Sequence, residues 1–77
     1  MTIKKWPPIS IGTRVKTLKE NSNITDWRIE ARASRQWNVY GTVVRYHDSH
    51  GLSYEVHHQD GTIGHYDPSE IRLLHLF

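Results

Sequence analysis

The chain has 77 residues, no cysteine and a net charge of +2 with its histidines neutral. A chain this short buries only about 60% of the surface its unfolded form exposes, which excludes a second core, and the missing cysteines exclude disulfides, thiolate metal sites and a cysteine nucleophile. Residues 1–45 carry nine Lys or Arg against three acids, a net +6, and residues 46–77 carry one against five, a net −4, so a basic side and an acidic side are expected.

In chain order, the opening "MTIKKWPPISIG" holds two lysines but no apolar run, and no window approaches the roughly 20 apolar residues of a membrane span. The expectation is a cytoplasmic protein that contacts no membrane. Trp6-Pro7-Pro8 withholds two backbone donors in succession and predicts an arm over residues 1–9. From there "ISIGTRVKTL" alternates Ile11, Thr13, Val15 and Thr17 with Gly12, Arg14, Lys16 and Leu18, the period of a half-buried strand with its basic residues outward.

Residues 19–37 form a long excursion. Asn21-Ser22-Asn23 reads as a turn, and "ITDWRIEARASRQWN" fits two templates. As a helix it is capped by Thr25 or Asp26 and gathers Arg28, Arg32 and Arg35 on one face. As an extended segment it alternates Trp27, Ile29, Ala31 and Ala33 with Arg28, Glu30, Arg32 and Ser34. The apolar positions match the second template better, so an extended arm is expected, with a short helix as the alternative.

From Val39 the pattern turns to β. "VYGTVVRY" is β-branched and aromatic, Asp48-Ser49-His50-Gly51 is a turn, and "LSYEVHH" alternates. Asp60-Gly61 is a hairpin signal, "TIGHY" a short strand, "DPSE" a tight or single helical turn, and "IRLLHLF" the closing strand. Short strands at turn spacing with one long excursion after the first predict an all-β, five-stranded small barrel over residues 10–77, with Val43, Tyr54, Val56 and Ile71 in its core.

The six histidines (His47, His50, His57, His58, His65, His75) all lie in the acidic part. His57 and His58 point to opposite faces of a strand, and His58 and His65 can meet only across the Asp60-Gly61 hairpin. No spacing matches a metal motif, so no metal ligand and no cofactor is expected, and the histidines are assigned to the solvent face. Protonating all six would take the segment from −4 to +2. No nucleophile elbow or P-loop is present, and Asp48, Ser49 and His50 share one turn, which does not give triad geometry, so no catalytic residue is expected.

Binding is better supported. Trp27, Trp37, Tyr40, Tyr46, Tyr54 and Tyr66 outnumber what so small a core buries fully. Surface aromatics interleaved with Arg14, Lys16, Arg28, Arg32, Arg35 and Arg45 suit bases and phosphates, and equally suit a protein hot spot.

The runs "IGTRVKT", "YGTVVRY" and "LSYEVHHQDGTIGHYDPSEIRLL" together resemble SH3-like barrels of the Tudor, KOW and Agenet type over residues 10–74. That resemblance implies a Tudor/KOW-like barrel with residues 19–37 in the loop after strand one, and leaves its ligand open, because such barrels bind nucleic acids, peptides and protein surfaces alike. Gly12-Thr13-Arg14-Val15, Trp37 and Ile63-Gly64-His65-Tyr66 also resemble the plasmid-borne, trimethoprim-insensitive dihydrofolate reductases, but Gly64 replaces their pore-lining Gln and His65 their Ile. The expectation is a non-enzymatic module that contacts nucleic acid, or a nucleic-acid-associated protein, through Arg14, Lys16, Trp27, Arg28, Arg32, Arg35, Trp37, Tyr40 and Arg45. A protein-docking regulator or inhibitor is the alternative, reductase-like activity the remote one, and self-association is left open.

Overall fold

The structure, a computed structural model, describes residues 7–25, 27–49 and 51–74. Five strands, β1 (Arg14–Thr17), β2 (Tyr40–His47), β3 (Ser53–His58), β4 (Ile63–Tyr66) and β5 (Ile71–Leu73), form one antiparallel sheet in the order β4-β3-β2-β1-β5. A helical turn, α1 (Ile29–Ala33), precedes β2, and a 3-10 turn over Pro68–Glu70 precedes β5. None of the helices among the described residues is long and apolar enough to cross a membrane.

Period-two burial sets the two faces of the sheet. Val15, Val43, Tyr54, Val56, Tyr66 and Ile71 point inward and form the core, with Ile9, Trp37, Tyr46 and Leu52 packed against it. The four expected core residues are all there. In register, Val43 faces Val56, Tyr54 faces Tyr66, and Thr17 faces Ile71 across the β1–β5 pair. A bulge at Val44 shifts the β2–β3 register between Val43 and Arg45, which restores the alternation beyond it. Ile9 N–H donates to the Tyr54 hydroxyl at 3.0 Å, so the end of the expected arm is tied to the core; residues 1–6 of that arm lie outside the described residues.

The excursion departs from the extended reading. Its middle is a single helical turn over Ile29–Ala33 in which no residue is buried, and Ile29 is 83% exposed. The period-two alternation therefore has no apolar surface to meet, and the helix propensity of Glu30, Ala31, Arg32 and Ala33 decides the local conformation.

What holds the excursion down is Arg35. Its guanidinium lies between the rings of Trp27 and Trp37, 4.4 and 4.6 Å from their centroids, and 5.6 Å from that of Tyr66. It forms a buried ion pair with Glu70, both side chains being almost wholly excluded from solvent. Glu70 in turn closes a capping box. Its Oε1 accepts from Asp67 N–H at 2.8 Å and its Oε2 from Asn21 N–H at 2.9 Å, while Asp67 accepts from Ser69 N–H. One carboxylate thus joins the start of the excursion, its end and the turn before β5.

Candidate functional site

Because β5 pairs with β1, the outward residues of β5, β1 and β2 share one face. Lys16 stands opposite Arg72 on one side and Tyr40 on the other, and Arg14 opposite Thr42. The Lys16 ammonium sits 5.4 Å from the Tyr40 ring centroid. Arg14, Tyr40, Arg45 and Arg72 are exposed and Lys16 half-buried. Arg45 continues the face along β2 until its cross-strand partner Glu55 interrupts it.

Four of the nine expected contact residues, Arg14, Lys16, Tyr40 and Arg45, are therefore brought onto one surface. Three are not. Arg35 is buried, and Trp27 and Trp37 are spent on flanking it. The basic loop face expected from Arg28, Arg32 and Arg35 does not form, because desolvating Arg35 against Glu70 and two indoles removes its charge from the surface. Arg32 is exposed and lies 3.8 Å from Glu20, and Arg28 is exposed beside a groove lined by Trp27, His47 and His65, a lining that includes neither Lys16 nor Arg72. Arg72, which sequence reasoning missed, joins the face only through the β1–β5 pairing; its signal was the closing strand itself.

The histidines do not behave as a set. His57 is exposed, while His58 is buried and contacts two hydroxyls, Nδ1 to Thr62 Oγ1 at 2.9 Å and Nε2 to the Tyr66 hydroxyl at 2.5 Å. The chain of contacts continues at both ends. Thr62 Oγ1–H donates to Asp60 at 2.6 Å, which makes Nδ1–H the donor toward Thr62, and the Tyr66 hydroxyl, 2.9 Å from the Gln36 carbonyl, has one proton to give either to that carbonyl or to the neutral Nε2. The expectation that all histidines face solvent is thus corrected for His58. Its ring occupies the space that Gly64 leaves open: a β-carbon added at Gly64 would lie 2.8 Å from His58 Cε1. His50 and His75 lie outside the described residues.

Burial pushes the His58 imidazole below its ordinary pKa of 6.5, against the opposing pull of Asp60. The unfolded chain consequently takes up this proton at a higher pH than the folded one. The stabilisation is complete above pH 6.5 and is lost as the pH falls from there toward the folded value. Urea midpoints measured from pH 8 to pH 5 are expected to fall, and His58→Gln is expected to flatten that slope; an unchanged slope would remove His58 as its source. Asp60, held down to about 2 by its hydrogen bonds from Thr62, adds a separate loss only below its ordinary 3.8.

A second histidine group lies on the outer face. Glu55 has His65 directly opposite on β4, and His47 follows Arg45 by two residues on β2, diagonal to Glu55 on the same face. His47 Nε2 and His65 Nε2 approach Glu55 Oε1 at 3.5 and 3.3 Å. This is the one group among the described residues with the donor set and spacing to hold a metal ion. No protein-family model matches the chain, and comparisons with curated proteins and with solved structures find no match.

Proposed function

We propose that the chain is a non-enzymatic, SH3-like barrel module that binds single-stranded nucleic acid across the outer face of β5, β1 and β2. The observation that carries this reading is the row Arg72, Lys16 and Tyr40, one residue from each strand in register, flanked by Arg14 and Arg45. Four cations on one face supply contacts to a phosphate backbone, and the exposed Tyr40 ring offers a stacking platform among them. The adjacency of β5 to β1 supports the barrel reading, since a sheet whose last strand returns to its first is the arrangement from which a small barrel curls. Glu55 stands opposite Arg45, so the acidic half of the sequence borders this face at its Arg45 end and not at Arg72, Lys16 or Tyr40.

Fluorescence anisotropy on a labelled 20-nucleotide single strand tests the reading. Four phosphate contacts predict a log–log salt slope of about −3, hence about a 50-fold loss of affinity between 50 and 200 mM salt. The double reversal Lys16→Glu/Arg72→Glu is expected to weaken binding by more than about tenfold and to flatten the slope, while Arg28→Glu leaves both nearly unchanged. Binding that ignores salt, or that survives the double reversal, would overturn the proposal.

A further inference from the structure

We propose that His47, Glu55 and His65 form a binding site for a divalent transition-metal ion of the zinc class, with two imidazole nitrogens and one carboxylate oxygen as ligands. The strands supply the convergence. In a sheet, directly opposite residues have β-carbons about 5 Å apart and diagonal ones remain within reach of long side chains; Glu55 is the middle of three strands with one histidine in each relation to it. The bulge at Val44 sets the registration that brings His47 to this face.

The distances fit ligands better than partners. An imidazole N–H paired with a carboxylate normally closes to about 2.7–2.9 Å, whereas both Nε2 atoms stand 3.3 to 3.5 Å from the same oxygen. Zinc bonds of about 2.0–2.2 Å at tetrahedral angles put ligand atoms about 3.3–3.5 Å apart, which is the observed separation. The remaining edge, between the two rings, is within 4.8 Å, and the ring planes are tilted by 46° at a centroid distance of 5.9 Å. His47 is half exposed, so rotation of its ring can shorten that edge.

The ligand chemistry selects the ion. Two neutral imidazoles with one carboxylate suit zinc, copper or nickel, not calcium or magnesium, which take oxygen ligands. Three protein ligands leave a fourth position for water. Both histidines line a groove of about 660 Å³ shared with Trp27, Arg28, Leu52 and Asp67, so that position is reached from solvent. The site takes none of its three ligands from the basic face, although Arg45 stands directly opposite Glu55, and it does not depend on nucleic-acid binding.

The test is calorimetric titration of the full, untagged chain with zinc chloride, paired with the visible spectrum of the cobalt(II) form. One zinc per chain and the intense d–d bands of four-coordinate cobalt are expected. His47→Asn, His65→Asn and Glu55→Gln should each weaken zinc binding by at least about tenfold and abolish the bands. His57→Asn, an exposed histidine of the same sheet whose Nε2 lies 3.2 Å from the Gly61 carbonyl, should change neither. All four positions lie outside the core, so circular dichroism should report folded variants. Absence of saturable zinc binding to the wild-type chain, or binding that persists undiminished in His65→Asn and Glu55→Gln, would overturn the assignment.

Discussion

Glu70→Gln is expected to destabilise the protein by about 3–5 kcal/mol, the cost of leaving a buried cation without its counter-charge. A domain of this size has about 4–12 kcal/mol in total, so much of the variant population should be unfolded at 37 °C. The loss comes from Arg35, which cannot turn to solvent while Trp27 and Trp37 flank it. Glutamine still offers one oxygen to the N–H of Asp67 or Asn21, so the effect is chiefly that of charge and less that of capping. Urea unfolding followed by tryptophan fluorescence measures it. The double variant Arg35→Met/Glu70→Gln removes the stranded cation and should be more stable than Glu70→Gln alone. If the two single losses simply add, the pair is not coupled and the account of the excursion's anchoring fails.

The second large effect is expected at Gly41. It is buried on β2 opposite His58, and a β-carbon there would lie 2.6 Å from Val56 Cγ1 and 2.7 Å from the His57 carbonyl oxygen. Val56 is fully buried in the core and the carbonyl belongs to the neighbouring strand, so neither yields without parting β2 from β3. Gly41→Ala should cost about 2–3 kcal/mol, as overpacking of a tight core does. Gly61→Ala provides the contrast. Nothing lies within 4 Å of a β-carbon at Gly61, and only its φ of +92° opposes a side chain, so about 1 kcal/mol is expected there. Comparable losses at the two sites would show that the space around Gly41 relaxes.

The strands were readable because their evidence is local. Alternation in "RVKT", "SYEVHH" and the run from Tyr40 assigns Val15, Val43, Tyr54 and Val56 to the core without knowledge of any partner. Asp60-Gly61 likewise marks its own turn, Gly61 taking the positive φ that the dipeptide predicts. In the excursion the extended reading gives way to its short-helix alternative for the complementary reason. "WRIEARA" alternates as a strand does, but it pairs with no strand and its helical turn buries no residue, so the pattern has nothing to enforce it and Ile29 is left exposed. Arginine and tryptophan in that stretch suggest a binding surface by composition alone, and composition does not distinguish a guanidinium packed against indoles inside from one displayed outside.

The site was legible in part. Arg14, Lys16 and Tyr40 have an outward parity that is visible in sequence, whereas Arg45 shares the parity of the inward Val43 and turns outward only through the bulge at Val44. Arg72 sits in the acidic half and joins them only because β5 lies beside β1, a pairing that links residues 56 positions apart between Lys16 and Arg72. The His47, Glu55 and His65 group escaped notice for a similar reason: its spacing matches no metal motif, because its members come from three strands whose register depends on a bulge.

By itself, then, the sequence determined the strands, the inward residues Val15, Val43, Tyr54 and Val56, the hairpin turn and the basic parity of β1, since each is decided within a few residues by sterics and by which side chains avoid water. Only the tertiary structure decided that Arg35 is buried, that His58 fills the space beside Gly64, and which cations and histidines meet. Those outcomes depend on desolvation and on strand register, and both are set by contacts between residues far apart in the chain.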